Sequence, residues 1–510
     1  MLMRRAVQWQ RTRDGRGIGM HKRIRKSHFL MGLIVLSVML CASLGVARGQ
    51  DALPIEMKGG WQPGPDTYHP SRVIVRFSDA FTTNNAVDSI QRLGYSVYGV
   101  ADLKPTAAFP NGVRFGIIDL PPEADIDNAI TKLAVMPGIL YVERDAVYYL
   151  SNPPVIPDDP LFPLMWGLHN HDLPSYYWDP DLVGEPVDDA DIDMPEAWSI
   201  CTGSDEIIVA VVDTGIYIDH LDLAPNIWVN EAELYGEPGI DDDGNGYVDD
   251  IHGWDFHHND NSVFDPDDRK SNGELNDIHG THVAGTIGAL SDNAQGVSGI
   301  NWNVRIMPLK AFGPGGGTTS NAMLALEYAA NNGAAIANCS WGGGSYSQAL
   351  KDTIEASGML VVCAAGNDGE NTDIHPHYPS SYDSSNIISV AASAQNDEPC
   401  YYPGWWSTNY GENTVDLFAP GGYIASTVPP DPPPLEPGEA YGFAYGTSMA
   451  TPHVSGVAAL VSSCYPSMPL YPDAPGWHEG SPTVKDLLLD KADVKPAFQG
   501  KCMTGGRLNA

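Results

Sequence analysis

The run Ile207-Ile208-Val209-Ala210-Val211-Val212 is apolar, mostly β-branched, and ends abruptly in Asp213-Thr214-Gly215. An apolar run without alternation must be buried on both faces, the condition of a strand in a parallel sheet covered by helices. A second such run, Gly358-Met359-Leu360-Val361-Val362-Cys363, leads into Ala364-Ala365-Gly366-Asn367. Two buried strands with polar residues at their carboxyl ends predict an α/β fold whose chemistry gathers along that edge of the sheet.

Two helix starts add to this. His279-Gly280-Thr281-His282-Val283-Ala284-Gly285 opens a small-residue helix with an imidazole in its first turn. Gly446-Thr447-Ser448 runs into Met449-Ala450-Thr451-Pro452-His453-Val454-Ser455-Gly456 and puts a hydroxyl at a helix N-terminus, where unpaired N–H groups favour developing negative charge. A serine is a poor nucleophile unless a base lies within hydrogen-bond reach and a third group orients that base. His279 and Asp213 supply the two roles. Each segment alone reads as a turn, a cap or a loop; together and in this order they make a catalytic set. His282 is assigned a structural hydrogen bond.

With Asp, His and Ser in this order, the chain resembles the subtilisin-like serine proteases from about Asp159 to Ala510. The resemblance implies a mostly parallel central sheet flanked by helices and a serine endopeptidase acting on protein or peptide substrates through an acyl-enzyme. Asn367 would aim its amide at the oxyanion. The resemblance also implies that Ser340, Trp341 and Gly342 pair with an extended peptide, and that Gly313-Pro314-Gly315-Gly316-Gly317, through Gly315 and Gly316, forms the opposite edge strand. Trp341 and His377 depart from the family pattern and narrow the pocket, whereas Asp368 at its rim would favour a basic residue. Tyr378-Pro379 is expected to be cis.

Charge and export signals bound the rest. The 510-residue chain carries a formal −36, but residues 1–50 hold 10 of the 28 Lys+Arg and only 1 of the 64 Asp+Glu, leaving the remainder at −45. Such a body has no basic face for phosphates, which argues against nucleic acid and favours calcium. The cluster His21-Lys22-Arg23-Ile24-Arg25-Lys26 precedes an apolar run from Phe29 to Val46, with the small residues Gly45-Val46-Ala47 at its end. Residues 1–49 therefore read as a signal peptide of a secreted protein, with Met20 as an alternative start and a membrane anchor as the outcome if the signal is not cleaved. The six cysteines that remain allow fifteen pairings, among which Cys464 with Cys502 is preferred if any forms.

Residues 50–152 form a second, smaller domain. Strand-like Val73–Phe77, Phe115–Leu120 and Ile139–Asp145 alternate with helical stretches near Asn84–Leu93 and Asp125–Ala134, a rhythm that fits an α+β ferredoxin-like unit. It resembles the family's propeptide, which implies an intramolecular chaperone and inhibitor. The proline-rich segment Ser151–Asp159 is the expected linker to a catalytic domain at 153–510, and Pro429–Pro437 is an expected stiff surface loop.

The segment Asp241–Asp250 spaces oxygen donors at Asp241, Asp243, Asn245, the Tyr247 carbonyl and Asp250, with a turn at Gly246, and resembles the first half of an EF-hand loop. Structural calcium is the expected ion. The family resemblance adds Asp222, with Asp159 beside it. Two other classes compete with a monomeric, self-processing endopeptidase. A calcium-stabilised binding scaffold has no need for Asp213, His279, Ser448 and Asn367 together, and a metallohydrolase lacks a His-Glu-x-x-His pair.

Overall fold

The computed structural model describes residues 68–78, 90–103, 113–121, 124–146, 153–171, 185–402, 404–430 and 440–510. The expected export signal, most of the helix expected near Asn84–Leu93, and residues 431–437 of the proline-rich insertion lie outside the described residues. Contacts divide the chain into two units between Tyr149 and Leu150.

In the first unit, β1 (Tyr68–Phe77), β2 (Ser96–Leu103), β3 (Val113–Asp119) and β4 (Ile139–Ala146) form an antiparallel sheet in the order β2-β3-β1-β4. Val73, Val75 and Phe77 alternate onto one face. There they meet Ala129 and Leu133 of α1 (Ile126–Ala134), whose first turn is capped by the Asp125 carboxylate.

The second unit is built on nine strands. These are β5 (Gly203–Asp213), β6 (Trp254–Asp255), β7 (Asn303–Lys310), β10 (Ile336–Cys339), β11 (Leu360–Ala364), β12 (Ile387–Ser393), β15 (Leu417–Pro420), β18 (Asp493–Val494) and β19 (Gly506–Arg507). Their order is β18-β19-β15-β12-β11-β10-β5-β7-β6, and only β18 runs antiparallel to its neighbour. Three short hairpins decorate it: β8 (Phe312–Gly313) with β9 (Gly316–Gly317), β13 (Tyr401–Tyr402) with β14 (Trp406–Ser407), and β16 (Ile424–Thr427) with β17 (Tyr441–Ala444).

The expected burial on both faces is what the β5 run meets. Val209 and Val211 share one core with α2 (Ile278–Gly288) and α5 (Thr447–Cys464), and Ala210 and Val212 share the other with α3 (Thr319–Asn331) and α4 (Gln348–Ala356). A further helix, α6 (Val484–Asp490), is closed by a capping box between Thr483 and Asp486. The fold class is thus α/β, with a mostly parallel central sheet flanked by helices. Among the described residues no helix is long and apolar enough to cross a membrane.

The preferred pairing of Cys464 with Cys502 is not made. Cys502 is buried against the carbonyls of Phe498 and Gly506, whereas Cys464 lies beside Cys201, and all six described cysteines are free thiols. The linker also differs from a free tether from Val155 on: Val155 donates its N–H to Pro195, and the Asp159 carboxylate accepts from the Asp292 and Asn293 N–H groups and the Ser298 hydroxyl.

Leu360 is fully buried in the centre of the sheet, while Leu324 on α3 is 44% exposed. Leu360→Ala is expected to lower the unfolding free energy in urea by roughly 2–5 kcal/mol, from lost transfer energy plus a cavity. Leu324→Ala should stay within about 0.5 kcal/mol. Equal effects would contradict the two-faced core.

Candidate active site

Asp213 is the last residue of β5 and only 2% exposed. Its Oδ1 accepts from the Thr214 N–H and from His279 Nδ1, both at 2.7 Å, while Oδ2 is buried and meets no donor among the described residues. His279 sits in the first turn of α2. Burial alone would push its pKa down, but the charge of Asp213 and the hydrogen bond to it hold it above the ordinary imidazole value.

Close approach of α2 to the β5 end depends on glycine. A Cβ on Gly280 would lie 2.3 Å from the Gly215 carbonyl oxygen, and Gly215 itself adopts φ +120. Behind them lies a group that the sequence reading missed. Lys310, fully buried on β7 directly opposite Asp213, donates to the Thr214 carbonyl and to Asp277 Oδ1 at 2.5 Å each, and pairs with Asp268 at 2.9 Å. Asp277 is the N-cap residue of α2, and burial pushes its carboxyl up to about 7 despite the ammonium beside it. The strand of Lys310, Asn303-Val304-Arg305-Ile306-Met307-Pro308-Leu309-Lys310, already carries another charged residue, so the lysine gave no signal in the sequence.

Ser448 is the second residue of α5, whose N-cap, Gly446, has φ +135. Its hydroxyl donates to the Ser340 carbonyl at 3.0 Å, and among the described residues it makes no hydrogen bond to His279 in this rotamer. The Ser448 N–H likewise has no acceptor there, as expected in a first helical turn. Asn367 follows β11. Its Oδ1 accepts from the Thr447 N–H at 2.9 Å and the Thr447 hydroxyl at 3.2 Å, which fixes the amide orientation and leaves the NH2 group as an exposed donor. Thr447, not singled out from the sequence, is therefore the residue that aims Asn367.

His282 is buried, with Nε2 bonded to the Ile424 carbonyl and its pKa lowered by burial to about 4. Ser340 lies between Asn338 and Ser448, accepting from the former and donating to the carbonyl of the latter. Trp341 turns its indole N–H onto the Val212 carbonyl and its ring onto Phe312. His377 packs closely on two glycines: a Cβ on Gly342 would lie 2.2 Å from its ring, and one on Gly366 2.9 Å from it. The Tyr378–Pro379 bond is cis. Gly315 lies in the turn of the β8–β9 hairpin, and Gly316 opens β9 with φ +93, paired with Gly313.

The acidic loop is closely wired. Asp241 accepts from the N–H groups of Gly244, Asn245 and Gly246, and Asp243 from those of Asn245 and the Asn230 amide. Asn245 spends its side-chain amide on Asp243 and Asp250. Carboxylate oxygens of Glu233, Asp241 and Asp243 converge within 4.8 Å, and none of the three pairs with a lysine or arginine among the described residues. Hard oxygen donors in this arrangement fit calcium. Glu233 was missed because it precedes the loop. Asp250, expected to close the site, instead turns inward onto Asn230 and the Tyr328 hydroxyl, and the Tyr247 ring packs on Trp254 and Tyr328. Asp222 lies apart, fully buried, accepting from Asn293, Val297 and Tyr441.

A sequence profile described as Subtilase family matches residues 204–504. The chain is 36% identical over 271 residues to a thermophilic serine proteinase of Bacillus sp. (strain AK1), covering 52% of this chain and 55% of that protein. It is 34% identical over 276 residues to thermitase of Thermoactinomyces vulgaris, covering 53% and 80%. With an extracellular protease of Xanthomonas campestris pv. campestris it shares 31% over 466 residues, covering 86% and 70%. The profile spans more than half of the chain, and the chain belongs to the subtilase family of serine endopeptidases.

Proposed function

We propose that the protein is a secreted endopeptidase, made as a self-processing zymogen, that hydrolyses protein or peptide substrates through Asp213, His279 and Ser448. The observation that carries this reading is the 2.7 Å bond from His279 Nδ1 to the buried Asp213 carboxylate, which accepts besides it only the Thr214 N–H among the described residues. That bond holds the proton on Nδ1 and leaves Nε2 as the base. The Ser448 hydroxyl exchanges the Ser340 carbonyl for Nε2, its oxygen attacks the peptide carbonyl, and the imidazolium that forms is stabilised by Asp213. The oxyanion is received by the Ser448 N–H and the Asn367 NH2 group, both without an acceptor among the described residues. The same imidazolium then protonates the leaving amine, and water resolves the acyl-enzyme by the reverse sequence. Residues 50–152 serve as the propeptide, a role favoured by their separate core.

Glu233, Asp241 and Asp243 would hold a calcium ion, whose contribution when bound is to neutralise three converging carboxylates and stiffen the loop.

Ser448→Ala and His279→Ala should each abolish turnover, and the double variant should lose little more, because triad members act as a unit. Asn367→Ala should lower kcat roughly 100- to 1,000-fold with KM nearly unchanged. The Ser448→Ala protein should also retain residues near Val73–Leu150 when produced in a protease-free host. Additive losses, or normal maturation of that variant, would contradict the reading.

A base must be neutral to accept a proton, so kcat/KM should rise with pH through a value above the ordinary imidazole pKa. Asp213→Asn removes the anion that favours the imidazolium while burial remains. The acid limb should then move to lower pH, and kcat should fall about 10,000-fold. An unmoved limb would show that His279 is not the group being titrated.

Calcium at a hundredfold excess over its Kd should stabilise the fold by about 2.7 kcal/mol. EGTA should therefore lower Tm in wild type, whereas Glu233→Gln should show a lower Tm and a reduced response to EGTA. Coincident melting of wild type in EGTA and in excess calcium would remove the ion from this site.

A further inference from the structure

An interlocked set of aromatic rings adjoins the nucleophile. Tyr402 stacks on Trp406 at 5.1 Å, Trp405 meets Tyr445 edge-on at 5.1 Å, and Tyr423 stacks on Phe443 at 4.2 Å while reaching Tyr445 at 5.5 Å. Three chain segments deliver these rings: the β13–β14 hairpin, the residue before β16, and β17 with the residue that leads into Gly446. Trp405 is nevertheless 66% exposed, and Phe443 is 38% exposed. A single exposed ring needs no explanation, but a contiguous exposed aromatic surface does. Mutual contact holds the rings in place, so that a ligand ring laid on them pays little further side-chain entropy.

The set borders the reacting groups. Tyr445 immediately precedes the Gly446-Thr447-Ser448 turn. Ser407, next to Trp406, bridges to Asp368 and accepts the Gly369 N–H at 3.0 Å, which ties the β13–β14 hairpin to the segment carrying Asn367. The other flank of Ser448 is Ser340, with Trp341 turned onto Phe312 and Val212. Among the described residues, no ring of the set contacts Phe312 or Trp341. A polypeptide whose acyl half follows Ser340–Gly342 must leave Ser448 on the flank where the aromatic set lies.

We infer that Trp405, Tyr445 and Phe443 form a leaving-group subsite that selects substrates with an aromatic side chain within the first three residues after the scissile bond. The inference rests on the endopeptidase reading and adds its substrate class. Stacked and edge-to-face contact with an exposed indole favours an aromatic ring over a methyl group, and nothing equivalent is offered to an aliphatic chain.

The test is a set of quenched-fluorescent peptides, identical on the acyl side, with Phe, Ala or Lys placed in turn at each of the first three leaving-side positions. For the wild-type protein, kcat/KM with Phe should exceed that with Ala roughly tenfold at one or more positions. In Trp405→Ala that ratio should fall towards one, and Trp405→Phe should restore part of it. Using the ratio cancels any general loss from misfolding. Equal rates for Phe and Ala in wild type, or a ratio that Trp405→Ala leaves unchanged, would overturn the inference alone. A preference for Lys over Phe would mean capture of a cation on the rings and would also overturn it. So would conversion of a wild-type dimer to monomer by Trp405→Ala with the ratio intact, since the rings would then cover a second copy. Failure of wild type to cleave any peptide, together with no labelling of Ser448 by a serine-directed phosphonate, would sink the endopeptidase reading and this inference with it.

Discussion

One buried ammonium underlies the arrangement of Asp213 and His279. Lys310 is fully buried, and such a charge is tolerated only where it is paired and hydrogen-bonded. Its partners are the Thr214 carbonyl, next to Asp213, and the carboxylate of Asp277, which caps the helix carrying His279. A cation that needs both therefore holds strand and helix to one another. Removing one partner of a buried pair costs about 3–5 kcal/mol, larger than any single surface interaction. The 2.7 Å contact between Asp213 and His279 is in this sense a consequence of satisfying Lys310, with Gly215 and Gly280 supplying the clearance.

The nucleophile's half of the site is fixed by a different logic. Thr447 directs both its N–H and its hydroxyl at Asn367 Oδ1, and its hydroxyl oxygen also accepts the Gly366 N–H. The start of α5 and the end of β11 are thereby stitched at the residue next to Ser448. Because an amide has one acceptor end and one donor end, committing Oδ1 to Thr447 decides which end faces the cleft. Ser340 closes the stitch from β10 by donating to the Ser448 carbonyl and accepting its hydroxyl.

The strands were legible because nothing but burial on both faces explains Ile207–Val212 or Leu360–Cys363, and strand ends in such sheets are where polar groups gather. Asp213, His279, Asn367 and Ser448 were legible because each sits at an element boundary that sequence marks with glycine. Lys310 and Thr447 were not, since a lysine in a strand and a threonine in a helix start carry no signal until the third dimension brings Asp277 and Asn367 to them. The turn at Pro314-Gly315 was not legible, because a glycine run permits either an extended or a turned backbone. Asp250 was misread because loop spacing cannot show that Tyr328, far along the chain, offers its hydroxyl to that carboxylate. Glu233 escaped because it precedes the acidic loop on which its carboxylate converges.

The same accounting explains how a chain of −36 stays folded. The scarce cations are not scattered among the acids. Arg507, 1% exposed on β19 between β18 and β15, binds Asp397 and Asp493, as Lys310 binds Asp277 and Asp268. Many of the remaining carboxylates are satisfied by backbone N–H groups of turns, as Asp191 is by Asn170 and Asp193, and Asp255 by His257 and His258. N–H donors pair with a carboxylate without cancelling its charge, so this solution works only while the charges remain apart. At Glu233, Asp241 and Asp243 they do not remain apart, and among the described residues no lysine or arginine pairs with them. That convergence is why the proposed calcium ion is assigned to this loop rather than to the acidic surface at large.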